Sequence, residues 1–392
     1  LFRSPTLKIM QFVLLVIAVC VIAVANAAEW TLDTSTTDGI LVGVGMGDAT
    51  SAIAGSCSSN SGAEPQWWDG SSWTKQSMQA GIILDAATTP GNKASIATTM
   101  GGIQVTTDKG ASFTHVAGVL GLSQSAKTFD TDSFGVAGQF TSFPGGAFGG
   151  VITSTDGAGA DWTVSHIEGA TAVRYGDYPS ASTWYVTEGT WNDNSTSVAS
   201  TSAYPNLSAD MPMSSRLSIG KQGKIHANKG SLTDVSGWFG KIWKTSDAGS
   251  TWSNVFSSTD SDYYYFNDIS CGSPTTCVAV AEGQTSETGG NEVFAMASQD
   301  GGSTWTKTWS SSNAQSLMGV QMISATEGWI APLSSGRGLA TDFYYTTDGG
   351  QTWSLQQTLQ NCLVMSMDYS DGVGAAACLG SGGNSGAVAM YQ

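Results

Sequence analysis

Charged side chains are scarce in this 392-residue chain: only 12% of its residues are charged, with 31 acidic against 15 basic side chains. A chain this acidic is a poor partner for nucleic acids and anionic membranes. Its three histidines, His115, His166 and His226, do not show the spacing of metal ligands. The motifs of phosphate-binding loops, dinucleotide-binding folds and serine hydrolases are also missing. We therefore expect no metal and no cofactor.

Long hydrophobic runs are missing too, with one exception at residues 12–25, where 14 apolar residues follow one another. Ala25-Asn26-Ala27 then supplies the small-x-small pattern that signal peptidase recognises. So short a run beside such a site predicts a signal peptide over residues 1–27, with an uncleaved anchor as the alternative. Cleavage would leave 13 basic and 31 acidic side chains, a net charge of −18, in a secreted protein without a transmembrane span.

Cysteine is sparse, with six copies in the chain and five after the predicted cleavage. An exported chain meets an oxidising compartment, which permits disulfides. Cys271 and Cys277 flank a Gly-Ser-Pro turn, and Cys362 and Cys378 flank a Ser-Asp-Gly turn. Because cross-strand neighbours come close enough for a disulfide, we expect both pairs to be bonded. Cys57 is left over, and we expect it to be a buried free thiol.

Glycine and tryptophan are abundant, with 49 and 14 copies, and this combination of tight turns and large aromatics predicts a repetitive all-β protein. One pattern, [ST]-x-D-x-G-x-[ST]-[WF], occurs four times, at residues 106–113, 245–252, 298–305 and 346–353. Two degenerate copies have one position too many or too few, at residues 154–162 and 69–73. This is the pattern of the Asp-box, or BNR, repeat.

Each position of the repeat has a structural role at the tip of a β-hairpin. The aspartate accepts backbone N–H groups of the turn, the glycine permits positive φ, and the aromatic residue folds under the tip and packs into the blade. A metal site is not expected, because each tip offers a single carboxylate and hard cations need several oxygens. The predicted structural residues are Asp108, Gly110, Phe113, Asp156, Trp162, Asp247, Gly249, Trp252, Asp300, Gly302, Trp305, Asp348, Gly350 and Trp353.

The repeat period predicts the fold. In all but one case, the tip aromatics of consecutive copies are 40 to 53 residues apart, which is the length of one four-stranded propeller blade. Trp162 and Trp252 are 90 residues apart, so this gap holds one blade with an insertion or two blades. We predict an all-β, seven-bladed β-propeller of antiparallel blades over residues 28–392, with eight blades as the alternative. The predicted insertion, at about 191–215, is a loop that contains the glycosylation sequons at Asn194 and Asn206.

The two ends of the chain are expected to meet in the last blade. The final stretch of sequence shows three strands and no repeat tip, so its blade lacks a fourth strand. Trp30-Thr31-Leu32 resembles the residues that follow a tip elsewhere in the chain. We therefore predict that the N-terminal strand completes the last blade and closes the ring, which pairs edges that would otherwise be exposed.

These repeats resemble the BNR/Asp-box propellers, and within them most of all the photosystem II stability and assembly factor family. Residues 325–329, Ala-Thr-Glu-Gly-Trp, followed by the tip at 346–353, match that family's order of motifs, and the resemblance spans about residues 30–392. It implies a non-enzymatic lumenal scaffold that holds a reaction-centre subunit, in the thylakoid lumen if a transit peptide lies upstream of Leu1. That family is associated with a basic patch, whereas cleavage would leave this chain three arginines: Arg174, Arg216 and Arg337.

Sialidase-like and sortilin-like propellers share the repeat, so a carbohydrate-binding or glycoside hydrolase propeller is the alternative. A sialidase needs an arginine triad, a Tyr/Glu nucleophile pair and an acid. The three arginines, the tyrosines at 263–265 and Glu282 or Glu327 could supply these groups, although the Phe-Arg-Ile-Pro motif is absent. A general glycosidase needs two carboxylates across a cleft. The acidic pairs before strands are better explained as solvated loop charges: Asp130 with Asp132, and Asp260 with Asp262.

The sequence therefore predicts no catalytic residues and a monomeric, exported scaffold that binds a protein or a glycan. Propellers carry partners on the loops of their two faces. The candidate surfaces are the loop at 191–215, the pair Trp67 and Trp68, and the tyrosines at 263–265, with packing inside the blades as the competing interpretation of these aromatics. A structural protein of a wall or matrix is a third class.

Overall fold

The computed structural model describes the chain from residue 28 onwards, with gaps at several connections. The described residues are 28–33, 40–58, 62–76, 78, 83–99, 102–116, 120–130, 132–142, 146–156, 161–170, 172–190, 239–259, 263–284, 291–334, 339–380 and 386–392.

Short strands joined by glycine-rich turns make up nearly all of the described structure. In chain order they are β1 (Trp30–Asp33), β2 (Ile40–Asp48), β3 (Ser51–Ser58), β4 (Gly62–Ala63), β5 (Gln66–Trp68), β6 (Trp73–Lys75), β7 (Ile83–Thr88), β8 (Ser95–Thr99), β9 (Gly102–Thr106), β10 (Thr114–His115), β11 (Leu120–Phe129), β12 (Ser133–Ser142), β13 (Gly146–Ser154), β14 (Trp162–His166), β15 (Val173–Asp177), β16 (Trp184–Thr190), β17 (Phe239–Thr245), β18 (Ser253–Ser257), β19 (Tyr263–Cys271), β20 (Cys277–Gln284), β21 (Asn291–Ser298), β22 (Thr306–Ser311), β23 (Ser316–Met322), β24 (Gly328–Ser334), β25 (Ala340–Thr346), β26 (Ser354–Gln360), β27 (Leu363–Ser370), β28 (Val373–Leu379) and β29 (Gly386–Tyr391).

These strands form seven antiparallel sheets, which are the blades. Blade 1 is β2-β3-β5-β6 with β4 beside β3, blades 2 to 6 are β7–β10, β11–β14, β15–β18, β19–β22 and β23–β26, and blade 7 is β27-β28-β29-β1. The first strands of the blades contact one another in succession around a closed ring: β2, β7, β11, β15, β19, β23 and β27, which returns to β2. They therefore form the inner wall around a central channel, and the predicted seven-bladed β-propeller is confirmed.

The long gap between Trp162 and Trp252 holds one blade, because β15, β16, β17 and β18 belong to a single sheet. The alternative of eight blades is therefore wrong. Residues 191–238 connect β16 to β17, and they lie outside the described residues together with the predicted loop at 191–215. This connection lies at one end of the channel. In each blade, the first strand begins at that end and the second strand finishes there. We call that end the insertion face, and the opposite end, which carries the repeat tips, the tip face.

The N-terminal strand closes the ring as predicted. β1 pairs antiparallel with β29 through four residues, from Trp30 opposite Tyr391 to Asp33 opposite Val388. Trp30 is fully buried and stacks on Phe343 of blade 6 with ring centroids 4.6 Å apart. Its backbone N–H donates to the side-chain oxygen of Gln357 at 2.8 Å, and its carbonyl accepts the Gln357 amide at 2.7 Å. The first strand thus joins blade 7 to blade 6.

The hydrophobic core is divided among the joints between blades rather than held inside each blade. Seven clusters of buried apolar residues occur among the described residues, and each draws its members from two successive blades. This follows from strand geometry, because side chains alternate between the two faces of a sheet and each face meets a neighbouring blade. Both predicted disulfides are present: Cys271–Cys277 links the β19–β20 hairpin, and Cys362–Cys378 links the start of β27 to β28.

Candidate binding site beside the central channel

The four full repeat tips share one pattern of hydrogen bonds, which occupies their aspartates. In the tip of blade 4, Thr245 donates its hydroxyl to Asp247 at 2.7 Å and accepts the N–H of Gly249 at 3.0 Å. Asp247 accepts the hydroxyl and the N–H of Thr251 at 2.6 and 2.8 Å, and these bonds lower its pKa to about 2. The same bonds recur around Asp108, Asp300 and Asp348. The tips therefore order their own turns.

The tip aromatics contact the preceding blade. The sequence had suggested instead that they pack within their own blade. Trp252 of blade 4 donates its indole N–H to Ser165 of blade 3 at 2.8 Å. Trp353 of blade 6 donates to Thr308 of blade 5 at 3.3 Å. The reason is that the core lies in the joints between blades, so a large side chain finds its apolar surroundings there. The tips thus fasten one blade to the next.

The aromatic pair that was a candidate surface is inside the protein. Trp67 and Trp68 are buried, and Trp67 donates its indole N–H to Ser95 of the next blade at 3.0 Å. Trp68 packs on Trp73 in its own blade. Tyr264 is buried as well and stacks with Phe256. These rings fill the joints between blades, so they offer no exposed binding platform.

Other predicted positions are spread over the molecule. Asp130 and Asp132 are exposed in the turn between β11 and β12, where the N–H of Asp132 donates to the Asp130 carbonyl at 2.7 Å. Glu327 accepts the hydroxyl of Tyr345 at 2.7 Å on the tip face, away from the tyrosines at 263–265. Several candidates lie outside the described residues: Asn194, Asn206, Arg216, His226, Asp260, Asp262, Arg337 and the side chains of Cys57 and Tyr263.

One lysine crosses the middle of the channel. Lys127, on β11, reaches blades 6 and 7 on the opposite side of the ring. Its ammonium donates to the Met367 carbonyl at 3.1 Å and to Gln321 Oε1 at 3.3 Å, and it lies 3.5 Å from Asp368 Oδ1. Its side chain is only 11% exposed, so Lys127 is a largely buried cation that joins opposite sides of the ring.

Four aspartates from other inner strands surround Lys127. Burial alone would lower the pKa of Lys127, but the charges of Asp368, Asp268, Asp177 and Asp85 raise it above its ordinary value. Three of these carboxylates also accept a backbone N–H from the inner strand of the following blade: Asp85 from Ala126, Asp177 from Cys271, and Asp368 from Met46. The aspartates therefore tie neighbouring blades together, and Lys127 supplies the cation that balances part of their charge.

Nearer the insertion face, the pairing of strands one and two shifts register in every blade. Such a bulge leaves its residue without a partner on the neighbouring strand and re-aims its side chain. In five blades the residue at this shift is apolar, or its side chain is not among those that the structure describes. Blades 4 and 5 instead place Arg174 and Asn267 at the shift. Arg174 precedes Asp177 by three residues, about 10 Å along the strand toward the insertion face.

Arg174 is buried without a hydrogen bond. The residue is only 5% exposed, and its Nε and Nη2 have no hydrogen-bond partner among the described residues. The guanidinium carbon lies 4.2 Å from the ring centroid of Tyr265 and 5.5 Å from that of Tyr175, so it rests on aromatic faces. Buried polar groups are almost always hydrogen-bonded in native proteins, and exceptions cluster at functional sites.

Two further groups on blade 5 complete the site. Glu282 on β20 is paired in register with Tyr265 on β19, and it is 8% exposed. Burial raises the pKa of Glu282 to about 7, although the Arg174 charge and a hydrogen bond from Asn267 act to lower it. Asn267 is fully buried, donates to the Leu317 carbonyl at 3.1 Å, and its side-chain oxygen has no partner among the described residues. We call Arg174, Tyr265, Asn267 and Glu282 the arginine site.

The buried carboxylate of Glu188, which is also nearby, bonds to groups outside the arginine site. Glu188, on β16, accepts the indole N–H of Trp243 at 2.8 Å and the backbone N–H of Ala172 at 3.2 Å, and lies 3.9 Å from Lys241. The neighbouring residue is Gly189, where a Cβ would come within 3.3 Å of Tyr265 and 3.6 Å of Arg174. A residue without a side chain therefore borders the arginine site on the side of blade 4.

The sequence pointed to part of this site and missed the rest. Arg174, Glu282 and Tyr265 were named as parts of a sialidase-like set, and the structure brings these three together. Lys127 and Asn267 were not singled out. The available signal was the single cation in Ser-Ala-Lys-Thr-Phe and the single amide in Tyr-Phe-Asn-Asp-Ile, each on the first strand of its blade. Within the described ranges, no group of three or more His, Cys, Asp or Glu residues is placed to hold a metal, and no helix could span a membrane.

The comparisons with known proteins show the fold. No family model matches this chain, and no curated protein matches it. Solved structures that are similar include YCF48 bound to a D1 peptide, with 13% identity, a TM-score of 0.52, and coverage of 92% of this chain and 96% of that one. U3-55K has 10% identity, a TM-score of 0.55, and coverage of 93% and 98%. A polysaccharide lyase of family PL25, an ulvan lyase bound to -[GlcA(1-4)Rha3S]-, has 8% identity, a TM-score of 0.51, and coverage of 92% and 95%.

These similar propellers include a peptide complex and an enzyme, so the fold does not choose between binding and catalysis. The assignment of the tips to the Asp-box class also stays a prediction.

Proposed function

We propose that this protein is an exported, non-enzymatic scaffold that binds a polypeptide partner at the insertion-face end of the channel. The observation that carries the proposal is the pair of unsatisfied groups in the arginine site. Arg174 offers two buried donors and Asn267 offers one buried acceptor. A polypeptide has carbonyl or carboxylate oxygens for the first and N–H groups for the second, whereas leaving such groups unpaired costs free energy.

The position of Lys127 in the channel bears on how a partner reaches the site. Lys127 reaches across the channel to blades 6 and 7 about 10 Å beyond Arg174, so the arginine site lies on the insertion-face side of this crossing. A loop or chain end of a partner fits between inner strands better than a flat surface does.

Two other observations support the proposal. The disulfides Cys271–Cys277 and Cys362–Cys378 fit an oxidising compartment, as expected of an exported protein. The solved structure of YCF48, which has the same fold, contains a bound D1 peptide. Together with the resemblance to photosystem II assembly factors, this favours a role in holding a subunit during assembly.

The test is affinity capture with matched variants. Residues 28–392 are produced in an oxidising host as wild type, as Arg174→Met and as Lys109→Gln, which removes an exposed cation on the tip face. Each is immobilised and exposed to a detergent extract of the source cells. We expect one polypeptide to be retained by the wild type and by the Lys109 variant and lost with Arg174→Met. Equal retention by Arg174→Met, or recovery of glycans alone, would contradict the proposal.

A glycoside hydrolase is the second candidate, because one observation favours it. Glu282 has a pKa near 7 and is paired with Tyr265 beside Arg174, and a carboxylic acid with such a pKa suits general acid catalysis. Activity on fluorogenic sialosides, glucans or uronic-acid polymers, lost in Glu282→Gln, would establish this function in place of the scaffold. The absence of turnover on all three substrate classes would remove it.

A further inference from the structure

The two unpaired donors of Arg174 lie on one edge of its guanidinium. Nε–H and the adjacent N–H of Nη2 point in parallel, and this edge matches the two oxygens of a carboxylate. The guanidinium carbon lies over the rings of Tyr265 and Tyr175, at 4.2 and 5.5 Å from their centroids. The edge of Arg174 is therefore suited to one kind of partner, a planar, two-oxygen anion.

Glu282 does not fill this role in the structure. It forms no ion pair with Arg174 among the described residues. Because burial favours its neutral form, Glu282 carries an O–H through part of the neutral pH range. It is then a donor beside a cation, and both groups can bind an acceptor.

From this geometry we propose that the arginine site binds a carboxylate of the partner polypeptide and takes up one proton when it does so. Nε and Nη2 of Arg174 donate to the two carboxylate oxygens. The proton from solvent resides on Glu282, whose O–H donates to the same carboxylate, and no covalent bond is made or broken. The proposal rests on the proposed function, since it names the chemistry by which the scaffold holds its partner.

Proton uptake follows from the charges on the strands around Glu282. If Glu282 were ionised, two carboxylates would share one guanidinium, and the second would be repelled. β20 pairs with β19, which carries Tyr263, Tyr264, Tyr265 and Asp268, and with β21, which carries Glu292, while β23, which packs on β20, has no ionisable residue. Glu292 is held by Lys307 at 2.8 Å and Asp268 accepts the backbone N–H of Ile269 at 2.9 Å, whereas Glu282 is the carboxyl of these strands on which the Arg174 charge acts.

Propionate is the first probe, because it offers a carboxylate with no other polar group. Its binding to residues 28–392 is measured by saturation-transfer NMR against propionamide, which has the same shape and no charge. We expect propionate to bind at least about tenfold more tightly, and Arg174→Met to abolish that difference. Equal binding of the acid and the amide would overturn the inference and leave the capture experiment as a separate test of the scaffold.

The pH dependence distinguishes proton uptake from simple attraction between charges. With a pKa near 7, the neutral fraction of Glu282 falls about tenfold between pH 6 and pH 8, so the affinity for propionate should fall about tenfold as well. Glu282→Gln keeps a neutral side chain at every pH, so we expect the affinity of this variant for propionate to be the same at pH 6 and pH 8. A pH dependence that persists in Glu282→Gln, or that is absent in the wild type, would refute the role of Glu282.

Peptides then identify the source of the carboxylate. Once a partner segment is captured, it is synthesised with a free carboxyl end, as the C-terminal amide, and with its Asp and Glu residues replaced by Asn and Gln. Loss of binding in the C-terminal amide assigns the site to a chain end, and loss in the Asn/Gln peptide assigns it to an acidic side chain. Unchanged binding in both would refute the carboxylate even if the partner itself is correct.

Discussion

Replacing each of two buried cations near the channel by methionine should change the free energy of unfolding by very different amounts. Lys127 is hydrogen-bonded to Gln321 and Met367 and lies 3.5 Å from Asp368. Lys127→Met leaves these acceptors and four aspartates without their cation, and breaking a buried ion pair costs about 3–5 kcal/mol. Arg174 has no hydrogen bond to lose, so Arg174→Met should cost less than about 1 kcal/mol, or stabilise the protein, since an unsatisfied buried donor costs about 1–3 kcal/mol.

The assay is urea unfolding of both variants at pH 7 and pH 5, with Lys75→Met as the control for a lysine whose side chain is 38% exposed in its ion pair with Glu64. Burial raises the pKa of Asp177 above its ordinary value, and Lys127→Met removes the charge that opposes this rise. Asp177 then binds more protons in the folded than in the unfolded state, so the loss in Lys127→Met should be largest at pH 7 and smaller at pH 5. The reasoning is refuted if Lys127→Met is no worse than the Lys75 control, or if Arg174→Met is as damaging as Lys127→Met.

Three further predictions follow from the joints and the arginine site. Trp30→Ala removes a fully buried ring from the closing strand and should lower the free energy of unfolding by about 3–5 kcal/mol, measured by urea unfolding. Gly249→Ala should destabilise the protein more than Gly372→Ala in thermal unfolding. Both glycines have φ above 80°, but a Cβ at Gly249 would come within 2.5 Å of Ser165, whereas one at Gly372 meets nothing. Equal losses of stability would disprove the tight joint between blades 3 and 4. Glu282 has a higher pKa in the folded than in the unfolded protein, so the stability that it contributes is complete below pH 4.5 and is lost as the pH rises through 7. The free energy of unfolding of the wild type relative to Glu282→Gln should therefore fall by about 3 kcal/mol from pH 4 to pH 8 in urea titrations.

The blades and their closure were predictable because they depend on local patterns. Each tip repeats a short motif whose aspartate and hydroxyl groups bond within the same turn, as between Thr245 and Asp247. Trp30-Thr31-Leu32 repeats the sequence of a strand that follows a tip, and this was enough to place β1 beside β29. The packing of Trp252 and Trp353 against the preceding blade was not predictable in the same way, because it depends on how the blades are arranged around the ring.

The channel and the arginine site depend on contacts between distant parts of the chain. Lys127 bonds to residues 194 and 240 positions away, and its partners are defined only once seven blades close the ring. The directions of the Arg174 and Asn267 side chains were hidden for another reason: a bulge sets the direction of each side chain, and alternation of polar and apolar residues does not reveal a bulge. The sequence showed that Arg174 is unusual, but not that its donors are left unpaired.

The most direct test of the account is the affinity of the purified captured polypeptide for three forms of the protein, measured by isothermal titration calorimetry. The account predicts that Arg174→Met weakens binding at least about tenfold, while Lys109→Gln on the tip face binds like the wild type. If instead Arg174→Met binds as tightly as the wild type, or if the Lys109 variant is the one that loses affinity, the partner does not bind at the arginine site and the central claim is contradicted.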